Sequence, residues 1–183
     1  MTFTQGEANQ FIVECHFDLE SVKQKIAADP GLANAYNPET IESALGAAGH
    51  IGNEAIAEFL LAHGAKPELA ASAMLAQRDV LQAAIDKDPK LATSGGAHNI
   101  PLAFHVALSG DLEMMQLLWD SGAEDHVKGA LFGAVMKNHV RLAKWLLEHS
   151  AATGVKDFQG RSPLEVAEQS GYSEMAELLR GAS

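Results

Sequence analysis

The side chains best suited to chemistry are eight histidines and a single cysteine, Cys15. Zinc-binding helices carry histidines one turn apart, as in H-E-x-x-H, because those positions share a face, and metal loops carry paired cysteines. His50, His63, His105, His126, His139 and His149 fall into no such spacing. They lie in different segments, so neither a metal site nor a cofactor is expected. Cys15 and His16 are neighbours in the chain, but consecutive helical residues point about 100° apart and cannot pair as nucleophile and base within one helix. Gly95-Gly96 lacks the lysine and following helix of a phosphate loop and reads as a flexible turn. Asp86, Lys87 and Asp88 read as a solvated helix end rather than a calcium loop. No catalytic residue is assigned, and the chain is read as a non-enzyme.

The elements that carry these residues follow from composition. The 183 residues are 47% hydrophobic, enough to bury one continuous core, while aromatic residues make up only 6%. Abundant Ala and Leu with few aromatics favour closely packed small helices over a sandwich or barrel. An all-α fold is expected. Twenty-four acidic against thirteen basic side chains give a formal charge of -11, which repels phosphate backbones and anionic lipid and attracts basic surfaces. The lone cysteine allows no internal disulfide, and the first residues lack a basic stretch followed by a long apolar run. The expectation is a cytoplasmic protein with no membrane span and no nucleic-acid partner, either monomeric or weakly homo-oligomeric.

Internal repetition is the strongest organisational signal. Asp157-Phe158-Gln159-Gly160-Arg161-Ser162-Pro163-Leu164 followed by Gly171-Tyr172-Ser173-Glu174-Met175-Ala176 reads as a tight turn feeding two short amphipathic helices. Five weaker copies precede it. Turn positions between paired helices fall at 17, 52, 76, 110, 138 and 171, four of them Gly or Asn, which best tolerate the positive φ of a helix end. Successive spacings of 35, 24, 34, 28 and 33 alternate long and short connections. Ile26-Ala27-Ala28-Asp29-Pro30 is echoed by Ile85-Asp86-Lys87-Asp88-Pro89, and proline ends the second helix at the same place in both. Thr4 to Glu7 and Ser162 to Glu165 have the form of capping boxes.

The segment from Asp157 to Leu179 resembles the ankyrin repeat, whose signature reads D-x-x-G-x-T-P-L-x-x-A-x-x-x-G-x-x-E-x-x-x-L-L, departing mainly by Ser162 for Thr. The chain is thus similar to a divergent, bacterial-type ankyrin array. The resemblance implies one solenoid domain over 1–183 with approximate repeats at 4–34, 35–65, 66–93, 94–123, 124–156 and 157–183. Because one helical pair cannot bury its apolar face alone, Leu45, Leu60, Leu118, Leu131, Leu146, Leu164 and Leu179 are expected to form a core ribbon, with Ala48, Ala134 and Ala167 kept small. The short connections are expected to lack the projecting finger of a regular repeat.

The family commonly binds partner proteins on the concave side lined by first helices, which implies a non-catalytic interaction module, an adaptor or inhibitor, whose partner is another protein; the acidic excess reads either as a solubility feature or as steering toward a basic partner surface. Positions at the ends of those helices read Cys15-His16, His50-Ile51, Met74-Leu75, Leu108-Ser109, Met136-Lys137 and Gln169-Ser170. Met74, Leu108 and Met136 are the expected central contacts, with His50, Tyr36 and Phe158 at the edges. Two readings stay open for the middle of that row, partner surface or gap-filling core. The alternative function is a helical-repeat enzyme or small-ligand receptor with a pocket in the groove near His105 and His126.

Overall fold

The structure, a computed structural model, describes residues 3–182. Its elements are α1 (Gln5–Glu14), α2 (Leu19–Ala28), β1 (Tyr36–Asn37), β2 (Glu42–Ser43), α3 (Ala44–His50), α4 (Glu54–Ala62), α5 (Leu69–Met74) and α6 (Arg78–Lys87). There follow α7 (Leu102–Ser109), α8 (Leu112–Asp120), α9 (Glu124–Lys128), α10 (Leu131–Met136), α11 (Val140–Glu148), α12 (Pro163–Gln169) and α13 (Ser173–Gly181). Six helical pairs result: α1/α2, α3/α4, α5/α6, α7/α8, α10/α11 and α12/α13. The first members stack in one row, α1 on α3, α3 on α5, α5 on α7, α7 on α10 and α10 on α12.

Sequence explains why that row packs so tightly. The inner helices α3, α5 and α10 read ALGAAGH, LAASAM and LFGAVM, so small residues let backbones approach, and Gly133 is the clearest case. A Cβ built there would lie 2.9 Å from the Phe104 carbonyl oxygen and 3.0 Å from the Ala107 methyl. The outer helices are longer and strongly amphipathic: α11 buries Leu142, Ala143 and Leu146 while Arg141, Lys144 and Glu148 face water. Past the first pair, each inner helix is shorter than the outer helix it pairs with.

Local signals place the helix ends. Both capping boxes form, at Thr4 with Glu7 and at Ser162 with Glu165. Of the six turn positions, Gly52, Ala76, Gly110, Asn138 and Gly171 have positive φ. Phe17 does not. After α1 the chain turns instead through bonds from the Phe17 and Asp18 amides to the Glu14 carbonyl. The echo between Asp29 and Asp88 is structural as well: both residues have φ -143° and ψ 95°, and each side chain accepts from the amide two positions on, at 3.0 Å and 3.1 Å. Each then opens a five-residue 3-10 turn led by proline.

The connections alternate as expected. The first long one is a hairpin, β1 antiparallel to β2 with Tyr36 opposite Ser43; the second closes with a Gly95–Pro101 bridge. In the third, the Asp157 amide donates to the Arg161 carbonyl at 2.9 Å, and Gly160 turns at φ 77°. The connection through Ala65 to Pro67 has no hairpin, and the one after Ala123 is taken up by α9.

The core falls into two abutting clusters rather than one ribbon. The first holds α1 to α4 with Ala71, Met74 and Leu108; the second runs from Ala70 and Ala73 to Leu179. Phe104 and Met136 pack against both. Leu45, Leu60, Leu118, Leu131, Leu146 and Leu179 are buried, as are Ala48, Ala134 and Ala167, while Leu164 is only half-buried at the C-terminal end of the stack.

Candidate functional site

Two histidines from successive inner-helix ends and a third from a finger close around one buried carboxylate. Glu42 ends the first finger on β2 and is only 5% exposed, because α3 follows at once and draws it under the array. Its Oε1 lies 3.2 Å from His16 Nε2, 3.4 Å from His50 Nδ1 and 3.0 Å from His98 Nε2. His16 follows the C-terminal end of α1, His50 ends α3, and His98 sits in the 3-10 turn of the second long finger. Their rings pack edge to face, His50 lying 4.9 Å from His16 and 5.2 Å from His98 between centroids.

The electrostatics of the cluster call for positive charge between His16 and Glu42. His16 Nδ1 sits 3.0 Å from the Ile12 carbonyl oxygen and 3.1 Å from that of Val13, so its proton belongs on Nδ1. A neutral His16 then turns the lone pair of Nε2 toward a carboxylate oxygen, acceptor against acceptor, and only a positive charge between them relieves this. The bond to Glu42 lifts the His16 pKa above its ordinary value, against the effect of burial. Burial works to raise the Glu42 carboxyl, yet the bond to His16 and the charges of His16, His98 and His50 outweigh it and hold the group below its usual range. Burial, followed by repulsion from His16, keeps the His50 pKa low. His98 is held with φ 54°, in the left-handed region that a non-glycine residue enters only under constraint.

Of the residues expected from sequence, His50 alone belongs to this cluster. Met74 and Leu108 are 1% and 2% exposed; the close stacking of α3, α5 and α7 seals them in the first core cluster, and the gap-filling reading applies to both. Met136 is half-buried between the two clusters. Tyr36 is 48% exposed on β1 and Phe158 93% exposed in the last finger, some of the largest apolar side chains left open to water. The pocket expected near His105 and His126 does not gather those two residues. His105 is 1% exposed, with Nδ1 3.1 Å from the Pro101 carbonyl oxygen, and His126 lines a separate open cleft with Trp119, Glu124 and Lys128.

Sequence reasoning missed Glu42, His16 and His98 as a group because it searched for spacing within one element. In a stacked array, equivalent positions of adjacent copies face each other. His16 and His50 occupy the same inner-helix end one copy apart, 34 positions along the chain, and that coincidence was the available signal. Lone histidine bonds to the carbonyl four residues back recur at His63, His105 and His149; what sets this site apart is convergence on Glu42.

Comparison with known proteins agrees with the stacked pairs. Residues 102–183 match the family described as ankyrin repeats, in three copies. Among solved structures, an ankyrin repeat domain from Acinetobacter baumannii superposes with a TM-score of 0.51 at 21% identity, over 94% of this chain and 97% of that one. No curated protein matches.

Proposed function

We propose that this chain, whose residues 102–183 match the ankyrin-repeat family, is a non-catalytic interaction module, an adaptor or inhibitor, that holds another protein against its concave side. Ankyrin repeats are in general protein-binding modules, and no helix among the described residues is long and apolar enough to cross a membrane. The observation that carries the proposal is Phe158, 93% exposed at a finger that is itself firmly built. Asp157 accepts from the Gln159 and Arg161 amides at 2.9 Å and 2.8 Å and pairs with the Arg161 guanidinium at 2.7 Å. A rigid turn displaying a bare aromatic ring gives a partner an anchor at small entropic cost. Tyr36 on the first finger is a second such anchor, and Met136 and His50 line the inner side between them. The charge of -11 favours a partner with a basic surface over nucleic acid.

The test compares proteins retained from a cell lysate by the immobilised wild type, Phe158→Asp and Met136→Asp, by quantitative mass spectrometry, alongside the unfolding midpoint of each. The expected result is one protein retained by the wild type and lost from Phe158→Asp at an unchanged midpoint. Identical retained sets for all three proteins would sink the proposal.

A further inference from the structure

We infer that His16, Glu42, His50 and His98 form a binding site for one borderline divalent cation of the zinc type, which fastens the first two inner helices to the second long finger. Ligand atoms of His16, Glu42 and His50 all lie within 4.8 Å of one another. Two atoms each 2.0–2.1 Å from a tetrahedral zinc ion stand about 3.3 Å apart, and the three nitrogen-to-Oε1 distances of 3.2, 3.4 and 3.0 Å bracket that edge length. A set of imidazoles with one carboxylate suits zinc, cobalt, nickel or copper and excludes magnesium and calcium, which take oxygen ligands.

The surroundings fit the same role. His16 donates from Nδ1 to backbone carbonyl oxygens, the second bond by which metal-binding histidines are oriented and their tautomer fixed. His50 Nδ1 also lies 3.1 Å from the Gly46 carbonyl oxygen, so ligation through that atom requires its proton to move to Nε2, and binding displaces the protons that His16 and His98 direct at Glu42. Glu42 is buried, and His98, whose side chain is 38% exposed, leaves an entry path from solvent. A proton on His16 satisfies the cluster in the metal-free protein, and a dication in its place would take the nitrogen lone pairs and balance the Glu42 charge. His98, 3.0 Å from Glu42 Oε1 but outside the set whose ligand atoms all lie within 4.8 Å of one another, would close the coordination sphere by a shift of its exposed ring. The inference stands independently of the partner-binding proposal.

The experiment uses the full chain stripped with a chelator and dialysed, titrated with zinc chloride in a calorimeter and with cobalt(II) chloride in a spectrophotometer. One equivalent is expected to bind with a submicromolar dissociation constant, cobalt is expected to develop the intense visible bands of a four-coordinate site, and zinc is expected to raise the melting temperature. Glu42→Gln and His16→Ala should each weaken zinc binding at least tenfold with helical content intact. Absence of saturable one-to-one binding by the wild type would overturn the inference, as would undiminished affinity in these folded variants. Should burial make both variants unfold, His98→Ala on the exposed finger decides: a tenfold or greater loss with altered cobalt bands supports the site, and an unchanged titration refutes it.

Discussion

The Lys137 ammonium, beyond the end of α10, donates at 2.7 Å to the carbonyl oxygen of Gly52 in the turn after α3, 85 positions earlier. Two neighbouring bonds do similar work: Asn53 Nδ2 donates to the His16 carbonyl at 3.1 Å and His139 Nε2 to that of Leu108 at 2.9 Å. Carbonyls near the ends of the inner helices lack partners within their own helix, and a later copy supplies the donor in each case. Lys137 is exposed, so its charge adds little beyond the bond itself. Lys137→Met is expected to lower stability by about 0.5–1 kcal/mol, read as a lower urea midpoint at unchanged slope.

Opposite effects are expected at two turns of the same kind. Gly110 has φ 73°, and a Cβ there would stand 2.4 Å from His139 Nδ1, so Gly110→Ala both strains the backbone and displaces the ring that bonds Leu108. The expected cost is about 1–3 kcal/mol. Ala76 already carries its Cβ at φ 54°. Relief of about 1–2 kcal/mol of strain exceeds the entropy that glycine adds to the unfolded chain, and Ala76→Gly should stabilise by about 0.5–1 kcal/mol. Chemical denaturation of the two variants beside the wild type measures both signs.

His105 makes stability depend on pH. Burial, only partly opposed by its bond to Pro101, pushes its pKa down to about 4 from an ordinary 6.5. The unfolded chain therefore binds a proton that the folded one refuses between those values, so the stabilising contribution is full above pH 6.5 and is lost as pH falls toward 4. The total is about 3 kcal/mol. His105→Leu should flatten the pH dependence of the unfolding free energy across that window, and a slope equal to that of the wild type would show that the imidazole protonates in place.

Met74 and Phe158 invert what their side-chain types suggest. Met74 is 1% exposed and Phe158 93%, so Met74→Ala should cost about 2–4 kcal/mol through the cavity it leaves. Phe158→Ser should change stability by no more than about 0.5 kcal/mol. Thermal melts of the two variants distinguish them directly.

Much of the fold was readable in the chain because its signals are local. The capping boxes at Thr4 and Ser162, the turn glycines and the Pro30 and Pro89 stops each act within a few residues, and each appears where the sequence puts it. Helical periodicity also found the apolar faces, but it cannot say how deep a face lies. Met74 and Leu108 ended up in the core because small residues in α3 and α5 bring the inner row closer than a regular solenoid reading assumes. The histidine cluster was hidden for a related reason. Its members are distant in sequence and meet only through stacking, and His98 reaches Glu42 from a left-handed turn at His98-Asn99 whose residue types permit that backbone without naming a partner.

The division of the hydrophobic interior at α5 has a mechanical corollary. Ala70 and Ala73 belong to one cluster while Ala71 and Met74 belong to the other, with Phe104 and Met136 bridging them, so the two halves of the interior meet across one six-residue helix. Under denaturant the array is then expected to loosen first where those clusters meet, read as hydrogen exchange in α5 faster than in the buried helices on either side.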